Sequence, residues 1–378
     1  MQLSVCVIAK NEQARLGRAL GSVASIADEI VVADTGSTDD TVGVALKHGA
    51  RVVQFPWVDD FSAAYNFSID QARGRWILLL DADEKLLESS QAAMLGAISR
   101  DDTLAYSVMR RDLVDESRPD FYSKMLHLRI FRNRPDLRFI GRIHHQFIEP
   151  LSAIAAREQL QVLPAPVELV HYGYVGNQKE AKLHRAAHLM ELELQDRPGQ
   201  FYFLVELGRT WLALHDARGE ALLTEAAQMV KDRRPEALEP GGMLAALLEH
   251  VLATDILPSG FPLTRELASE LAVRHFPNSI PLIWQRALHD FKQGRFAACA
   301  RLLESVVHLA KIDAYDMRSS FDPQIMGERA VLNLGVCYVR LGRIDDAQIH
   351  FRQLLDSSQF QQQAQSNLNA IAQLKRAK

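Results

Sequence analysis

The stretch from Trp76 to Glu84, in which a continuous apolar run ends in carboxylates, constrains the fold of this chain most strongly. Every residue from Trp76 to Leu80 is apolar, which is typical of a strand buried on both faces of a parallel sheet. Asp81 and Asp83 follow at an i, i+2 spacing, and such side chains point to the same side of an extended backbone. The stretch therefore predicts a buried strand with two carboxylates at its carboxyl end.

The paired carboxylates also indicate a ligand. Two negative charges at one strand end repel each other unless a cation lies between them, and open α/β sheets bind ligands at the carboxyl ends of their strands. Hard oxygen ligands favour magnesium or manganese. Asp81 and Asp83 therefore suggest a divalent-metal site for a phosphorylated substrate. The alternative interpretation is an exposed loop that is acidic without holding any ligand.

Composition sets wider limits. A chain of 378 residues predicts two domains rather than one. Its hydrophobic content of 48% and charged content of 24% are ordinary for a globular protein with ample core material. The formal net charge of −4 provides no global positive field, which argues against a nucleic-acid partner.

The cysteines and apolar runs indicate the compartment. Cys6, Cys299 and Cys337 lack the spacing of a zinc site or a disulfide framework, so we expect reduced thiols in a cytoplasmic protein. The apolar run Leu3 to Ala9 is too short for a signal peptide, and no run approaches the roughly 18 residues that span a bilayer. Peripheral contact with the inner face of a membrane stays open as an alternative.

The first part of the chain alternates strand and helix patterns, which predicts a parallel sheet covered by helices. A glycine-rich dinucleotide fingerprint is absent after the first strand, where Ala9-Lys10-Asn11-Glu12 stands instead. The predicted strands are Leu3–Ile8, Glu29–Ala33, Arg51–Gln54, Trp76–Leu80, Met125–Phe131 and Val167–His171, and the predicted helices are Glu12–Ser25, Thr41–His48 and Phe61–Ala72.

The last part of the chain is helical in pattern. A linking helix is predicted from Lys179 to Leu194, and paired amphipathic helices follow from Phe201. Leu207-Gly208-x-x-Trp211 and Leu334-Gly335-x-x-Tyr338 share one pattern, which matches tetratricopeptide repeats, where small residues let paired helices approach and aromatic residues fill the gaps. A generic helical bundle is the alternative interpretation.

Further features extend this repeat interpretation. The second copy of the pattern continues with Leu341-Gly342, Ala347 and Phe351, a third helix pair carries Gly294 at its turn, and a fourth, weaker pair lies between Met243 and Phe276. The spacing from Gly294 to Gly342 implies an insertion near 313–322, and the glutamine-rich tail from Phe360 predicts a capping helix. The predicted domains are thus an α/β domain over residues 1–178, a linking helix over 179–200 and an all-α helical-repeat domain over 201–378.

Polar residues follow three of the predicted strands and should meet at the carboxyl edge of the sheet. Asp34 is a candidate to accept hydrogen bonds from a nucleobase or ribose. Asp83 is a candidate to hold a metal ion that bridges a diphosphate, and Asp81 to hold the ribose or a water on that metal. The converging residues are Lys10, Asn11, Glu12, Asp34, Gly36, Ser37, Asp81 and Asp83, together with Asn66 in the preceding helix.

These residues carry a resemblance to family-2 glycosyltransferases over about residues 1–195. The motifs are Ile8-Ala9-Lys10-Asn11-Glu12, Asp28 to Asp39, Asp60-Phe61-Ser62 with Asn66, Leu80 to Glu84, Arg129-Ile130-Phe131-Arg132, Gly141-Arg142-Ile143-His144 and His171-Tyr172-Gly173-Tyr174. Fusion to tetratricopeptide repeats recurs in a bacterial branch of this family, and some members of that branch glycosylate peptides or proteins.

The resemblance implies a GT-A fold, which is a Rossmann-like, mixed and mostly parallel sheet, and an inverting transfer from a UDP- or GDP-linked sugar. It implies that Asp81 and Asp83 form an Asp-x-Asp motif, that Mn²⁺ or Mg²⁺ is the cofactor, and that His171 is a third metal ligand as a neutral imidazole. The implied nucleotide-sugar contacts are Ala9, Lys10, Asn11, Glu12, Asp34, Gly36, Ser37, Asn66, Asp81, Ala82 and Arg142.

The sequence departs from the family pattern at two positions. Tyr65 stands where the branch usually has arginine, which removes a positive charge that would have met the diphosphate. His145 stands where a glutamate would be the natural general base. An inverting transfer needs a base to take the acceptor proton. His145 is the first candidate, with His144 or Glu149 as alternatives. The other interpretation is that His145 only packs or binds substrate.

Two further questions stay open at the level of the sequence. Arg129, Arg132 and Arg142 are candidates to neutralise the leaving diphosphate, because arginine binds phosphate oxygens in bidentate fashion. The acceptor is a protein or peptide if the repeats bind an extended chain, or else a cell-envelope glycan or a lipid-linked molecule. A non-catalytic scaffold that binds nucleotide, with repeats that capture a protein or form a homodimer, is the alternative of another class.

Overall fold

The computed structural model of the protein describes residues 1–113, 116–117, 122–173, 179–233, 241–318 and 321–376. Two compact units are distinct, Met1–Phe203 and Leu204–Lys378. The predicted domain limit at residue 178 and the motif residue Tyr174 lie outside the described residues.

The first unit is built on an eight-stranded mixed sheet, ordered β3-β2-β1-β4-β7-β6-β10-β5. Neighbouring strands are parallel in the pairs β3-β2, β2-β1, β1-β4 and β6-β10. They are antiparallel in the pairs β4-β7, β7-β6 and β10-β5. The mixed, mostly parallel sheet that we predicted is therefore confirmed. The strands are β1 Leu3–Ala9, β2 Glu29–Asp34, β3 Arg51–Gln54, β4 Trp76–Leu79, β5 Glu84–Leu86, β6 Thr103–Leu113, β7 Tyr122–Arg132 and β10 Gln161–His171, with β8 Phe139–Ile140 and β9 Gln146–Phe147 forming a separate two-stranded ribbon.

Strand β4 lies inside the sheet, between β1 and β7, as its continuous apolar sequence predicted. Residues Trp76 to Leu80 are fully buried, since both faces of the sheet are covered and hydrophobic burial favours an unbroken apolar run there. The pairing of Leu3 with Trp76 and of Cys6 with Leu79 aligns β1 and β4, so the chain leaves both strands at the same edge.

Three predicted helices of the first unit are present with shorter bounds, as α1 Leu16–Val23, α2 Thr41–Lys47 and α3 Phe61–Asp70. Helices α4 Gln91–Ile98 and α5 Leu151–Glu158 were not predicted, and the predicted linking helix, α6 Lys179–Asp196, ends at Asp196 rather than Leu194. Helix α1 begins four residues later than predicted because Asn11 has a positive φ of 56° and the Glu12 carbonyl closes a turn with the amides of Arg15 and Leu16. Helix α3 begins where predicted, since the Asp60 carboxylate accepts a hydrogen bond from the Ala63 amide at 2.9 Å.

In its described residues the second unit is helical, as predicted. Its helices are α7 Phe201–Ala213, α8 Arg218–Lys231, α9 Gly242–Ala253, α10 Arg265–His275, α11 Ile280–Lys292, α12 Phe296–Lys311, α13 Glu328–Arg340, α14 Ile344–Arg352 and α15 Gln361–Arg376. Across the described part of the chain, no helix has the combination of length and apolar character that crossing a bilayer requires.

The small residues of the repeat pattern lie where helices come closest. A Cβ atom at Gly335 would stand 2.6 Å from the ring of Phe351, which is fully buried on α14. The turns of two helix pairs use Gly294 and Gly342 at φ of 70° and 72°, a left-handed conformation that glycine adopts without strain. The predicted pairing of helices around these positions is confirmed.

The longer connection and the capping helix are also present. Between α12 and α13 the chain takes an extended route that contains a short 3₁₀ turn, Pro323–Met326, and residues 319–320 of that route lie outside the described part. Helix α15 buries Ala364 and Ile371 against the core of the last helices. An insertion near 313–322 and a terminal helix were both predicted.

We expect Gly335→Ala to lower the stability of the second unit, although alanine favours helices by about 1 kcal/mol over glycine. The added methyl group would overlap the fully buried Phe351 ring, and overpacking of a core typically costs about 1–3 kcal/mol. Chemical denaturation measures the change. Gly96→Ala is the matched control, because a Cβ there meets no atom within 4 Å and should stabilise α4. Equal effects of the two substitutions would contradict the packing argument.

Candidate active site

The loops that follow β1 and β2 are joined at the carboxyl edge of the sheet. The Thr38 amide donates to Asn11 Oδ1 at 2.8 Å, and the Asn11 amide donates to Ser37 Oγ at 2.9 Å. Burial and then the negative charge of Asp83 raise the pKa of Glu12, which places Glu12 within electrostatic reach of the loop after β4. The structure therefore brings together the three strand ends that the sequence predicted to converge.

Asp34 ends β2 and is almost fully buried. Its carboxylate accepts hydrogen bonds from the amides of Gly36 and Ser37, at 3.3 and 3.2 Å, which fixes the turn. A carboxylate offers about four lone-pair positions, so these bonds leave room for the predicted contact with a base. Lys10 and Gly36 are exposed, whereas Ala9, the last residue of β1, and Ala82, in the turn between β4 and β5, are buried.

Asp81 lies in a closed network of charges. Arg129, on β7, donates through Nη2 to Asp81 Oδ2 and to Glu84 Oε1, both at 2.6 Å. The Tyr65 hydroxyl donates to the other Asp81 oxygen, and the Asp81 amide donates to Glu84 Oε2 at 3.0 Å. Arg129 is only 5% exposed and Glu84 only 1%. One buried guanidinium therefore balances two carboxylates at this strand end.

Burial and charge act in opposite directions on these carboxyl groups. Burial alone would raise the pKa of Asp81, but the charge of Arg129 and the hydrogen bond from Tyr65 outweigh it, and the pKa is lowered. For Glu84 burial dominates over Arg129, and the pKa is raised. Asp81 is thus the firmly ionised member of the pair, and its charge is directed at Arg129 and Tyr65.

Asp83 points to a second group of residues. Its Oδ1 lies 3.6 Å from His171 Nε2, and its Oδ2 lies 3.6 Å from Lys182 Nζ on α6. His171 Nδ1 lies 2.8 Å from Asp112 Oδ1, and Asp112 also pairs with Arg110. Asp112 is 2% exposed, so the imidazole is oriented by a buried carboxylate.

The two carboxylates around His171 control its charge. Burial alone would lower the pKa of His171, but Asp112 and Asp83 outweigh that effect and raise the pKa to about 9. Without a bound cation the imidazole therefore carries a proton at neutral pH. A metal ion that binds to Nε2 must displace that proton, so the predicted neutral imidazole requires the exchange of a proton for a metal ion.

Asp83 and His171 suit a hard divalent cation. A Cβ atom at position 173 would stand 2.2 Å from His171 Nε2 and 2.7 Å from Asp83 Oδ2, so only glycine fits beside these two atoms. A carboxylate behind a histidine is the usual arrangement for a metal-binding imidazole. Within the described residues, no group of three histidine, cysteine, aspartate or glutamate side chains is placed to hold a metal ion. Among the residues that the structure describes, Asp83 and His171 are therefore the two candidate ligands, and Asp81 is bound to Arg129.

His145 is held between aromatic rings rather than by hydrogen bonds. Its ring centroid lies 4.9 Å from that of Tyr65 and 4.5 Å from that of Phe139. Burial, followed by the positive charge of Arg129, lowers the pKa of His145 to about 4. The two positions at which this sequence departs from the family pattern, 65 and 145, are therefore in direct contact, and both side chains are neutral at pH 7.

The other two candidate bases lie in different surroundings. His144 is exposed, has a positive φ of 51° and packs near the ring of Tyr202 at a centroid distance of 5.4 Å. Glu149 is engaged in an ion pair with Arg157. Since Glu149 already has a cationic partner, His145 is the candidate best placed beside Asp81.

The remaining predicted residues have structural partners. The Asn66 amide makes two 2.9 Å hydrogen bonds with the backbone of Phe139, which holds α3 to β8. Arg142 pairs with Asp196 on α6 at 2.8 Å. Arg132 packs on Trp76 and donates to the Thr103 carbonyl, at the opposite end of β4 from the carboxylates. Arg132 is therefore not placed to contact a diphosphate at the carboxyl edge.

Sequence reasoning did not assign roles to Glu84, Asp112 or Lys182. Glu84 follows the Asp-x-Asp motif directly, and its full burial was not visible in the pattern. The pairing of β10 with β6 places Asp112 beside His171, and Lys182 on α6 lies 3.6 Å from Asp83. Neither contact is predictable from residue spacing, because the paired segments are far apart in the sequence.

Comparison with known proteins relates the amino-terminal part of the chain to a family. Residues 4–154 match the sequence model of Glycosyl transferase family 2. A TPR repeat-containing protein of Synechococcus elongatus is 35% identical over 240 residues, which is 62% of this chain and 58% of that protein. The amino-terminal part of the chain is therefore a family-2 glycosyltransferase domain, and the predicted resemblance is confirmed.

Two other relatives show the same likeness. An uncharacterized glycosyltransferase of Rickettsia felis is 38% identical over 110 residues, covering 28% of this chain and 38% of that protein. The SPbeta prophage-derived glycosyltransferase SunS of Bacillus subtilis is 27% identical over 219 residues, covering 57% of this chain and 50% of that protein. The chain thus matches about two fifths to three fifths of the length of these relatives.

We expect Arg129→Met to destabilise the first unit by about 3–5 kcal/mol, because it leaves two buried carboxylates without a counter-charge. Their pKa values should rise, so the folded protein would bind more protons than the unfolded chain, and the free energy of unfolding of the variant should recover as the pH falls from about 8 to about 5. Denaturation at both pH values measures the effect.

Arg75→Met, which removes an exposed ion pair with Asp101, is the control and should change stability little. An equally small loss of stability in Arg129→Met would contradict the role of Arg129 in the network.

Proposed function

We propose that this chain transfers a sugar from a nucleotide-diphosphate donor to an acceptor, with inversion at the anomeric carbon. One observation carries the proposal: Asp83 Oδ1 lies 3.6 Å from His171 Nε2 at the carboxyl edge of the sheet, beside Gly173, where the protein has no side chain that would overlap either group. Polar loops from β1 and β2 end at the same edge, so the edge provides a place for a nucleoside beside a place for a cation and a diphosphate.

The donor is held by the residues that converge at this edge. Asp34, Ser37 and Asn11 provide acceptors and donors for the base and ribose, and Asp81 is fixed by Arg129 for a ribose hydroxyl. Asp83 and His171 would hold Mn²⁺ or Mg²⁺, and such a cation, when bound, offsets the charge that develops on the leaving diphosphate.

Lys182 is a further candidate for the leaving group. Its ammonium donates to the Gly173 carbonyl at 3.0 Å and lies 3.6 Å from Asp83, so it adds a fixed positive charge beside the proposed cation position. Arg142 would reach a diphosphate only by leaving Asp196. Since Arg129 is buried in its own network, Lys182 is the cation that best replaces the charge missing at Tyr65.

His145 is the proposed general base. Its pKa of about 4 keeps the ring unprotonated at neutral pH, so it is able to accept a proton from an acceptor hydroxyl. Within the described residues, neither ring nitrogen has a hydrogen-bond partner in the protein, and neither is among the nitrogen atoms sealed from solvent. The side chain therefore has a free proton-accepting position.

The acceptor is proposed to be a protein or peptide. The second unit consists of paired helices, and arrays of such pairs form surfaces that bind extended chains. A relative of this chain is a TPR repeat-containing protein. A cell-envelope glycan or a lipid-linked acceptor is the alternative, and repeats that form a homodimer would leave the acceptor to the first unit alone.

A donor screen tests the function. Because a ligand that binds the native state raises apparent stability, thermal shifts with UDP- and GDP-sugars in the presence of Mn²⁺ should single out one donor. Release of nucleoside diphosphate from that donor is then measured. Binding of the donor without turnover, across peptide and glycan acceptors, would instead favour a non-catalytic scaffold.

We expect Asp83→Asn to abolish binding of Mn²⁺ in the presence of nucleoside diphosphate, as measured by electron paramagnetic resonance of the free ion. Asp112→Asn should weaken binding by about 10–100-fold, because it removes the carboxylate that orients His171. Asp102→Asn, at an exposed pair with Arg100, is the control and should bind like the unmodified protein. Unchanged Mn²⁺ affinity in Asp83→Asn would show that the cation lies elsewhere.

We expect His145→Gln to lower kcat by about 10²-fold or more, the usual contribution of a general base. At saturating Mn²⁺, which keeps His171 from taking a proton, the activity of the unmodified protein should stay level as the pH falls through 6.5, the ordinary value for histidine. The acid limb should lie nearer the His145 pKa of about 4. A limb near 6.5 that persists in His145→Gln would assign the base to another group.

A further inference from the structure

Tyr65 lies between the carboxylate that ends β4 and the proposed base. Its hydroxyl donates to Asp81 Oδ1, and its ring lies against the imidazole of His145 at 4.9 Å between centroids. The side chain is only 4% exposed. One residue therefore touches both the donor side of the site and the group proposed to act on the acceptor.

Ring contacts are the means by which the protein holds His145. In the described part of the protein its nitrogens have no hydrogen-bond partner, unlike His171, which Asp112 orients at 2.8 Å. Tyr65 and Phe139 pack against the imidazole at interplanar angles of 54° and 64°. Such aromatic contacts prefer particular relative orientations of the two rings, so they favour one orientation of the imidazole.

The two neighbours of His145 differ in what fixes them. Phe139 is fixed through its backbone. The Asn66 side chain donates to the Phe139 carbonyl and accepts from the Phe139 amide, both at 2.9 Å. Tyr65 is fixed through its hydroxyl by Asp81, and Asp81 is fixed in turn by the buried guanidinium of Arg129. A change in the position of the Asp81 carboxylate is therefore transmitted to the imidazole through the Tyr65 ring.

We propose that Tyr65 is a positioning residue that orients His145 for proton transfer and couples that orientation to Asp81. The inference rests on the proposed function, in which Asp81 binds the donor and His145 takes the acceptor proton. Tyr65 itself remains protonated, since burial and the neighbouring Asp81 charge raise its pKa well above the ordinary value. Its role is to hold a neighbouring base, and it takes no part in bond making.

Four variants separate the two contacts of Tyr65. Tyr65→Phe keeps the ring and removes the hydrogen bond to Asp81, whereas Tyr65→Leu removes both contacts. His145→Gln removes the base, and the double variant Tyr65→Leu/His145→Gln completes a cycle. Tyr106→Phe is the matched control, because its buried hydroxyl donates to the Ala97 carbonyl at 2.7 Å among the core residues of β6.

The measurement is Mn²⁺-dependent release of nucleoside diphosphate from the donor chosen by the thermal-shift screen. We expect Tyr65→Leu to lower kcat by about tenfold in the chain with His145 and to have no further effect on kcat in the His145→Gln background, because groups that act as a unit are not additive. Tyr65→Phe should raise KM for the donor more than it lowers kcat. Tyr106→Phe should leave both constants unchanged.

A second readout does not depend on turnover. The Cε1–H resonance of His145, assigned by its loss in His145→Gln, should move in Tyr65→Leu and stay in place in Tyr106→Phe, because the ring current of Tyr65 acts on the imidazole. Addition of UDP or GDP with Mn²⁺ should shift the same resonance in the unmodified protein and much less in Tyr65→Phe, which lacks the link to Asp81.

The outcomes distinguish the inference from the function on which it rests. Full activity of His145→Gln would overturn the assignment of the base. If His145→Gln retains a measurable but lowered kcat and Tyr65→Leu lowers kcat by the same factor in both backgrounds, or if Tyr65→Leu leaves the His145 resonance unmoved, then His145 acts without Tyr65 and the positioning role is wrong. Non-additive losses together with a moved resonance would support it.

Discussion

The buried guanidinium of Arg129 is the interaction on which the site depends. It lies between Asp81 and Glu84, two carboxylates that share one strand end, and neutralises part of a charge density that a folded protein would otherwise not tolerate. Arg129 and Tyr65 both bind Asp81, whereas Asp83 lies 3.6 Å from His171 Nε2 and 3.6 Å from Lys182 Nζ. The two carboxylates at this strand end therefore have different partners.

The residues around Asp83 come from chain segments that are far apart in sequence. Asp83 comes from the loop after β4, His171 from the end of β10, Asp112 from β6 and Lys182 from α6. The parallel pairing of β6 with β10 places Asp112 beside His171. A cation at this edge would thus bind to ligands held by two neighbouring parts of one sheet, which gives the ligands a rigid support.

The aromatic contact of Tyr65 with His145 complements this arrangement. Both side chains are neutral at pH 7 and their rings are in contact. In the proposed function, Lys182 beside Asp83 supplies positive charge for the leaving diphosphate, and His145 is a base that ring packing and the hydroxyl of Tyr65 orient.

The sheet, the paired helices and the carboxylates at the strand end were all predictable from the residue pattern, because burial requires unbroken apolar runs in central strands and close helix pairs require small residues such as Gly335. The convergence of Asn11, Asp34 and Asp81 was predictable too, since parallel strands share an edge. The pattern did not predict that Arg129 binds Asp81, that Asp112 orients His171 or that Tyr65 contacts His145. Those contacts join segments that are far apart in the chain and depend on burial, whereas the periodicity of a sequence reports only on neighbouring residues.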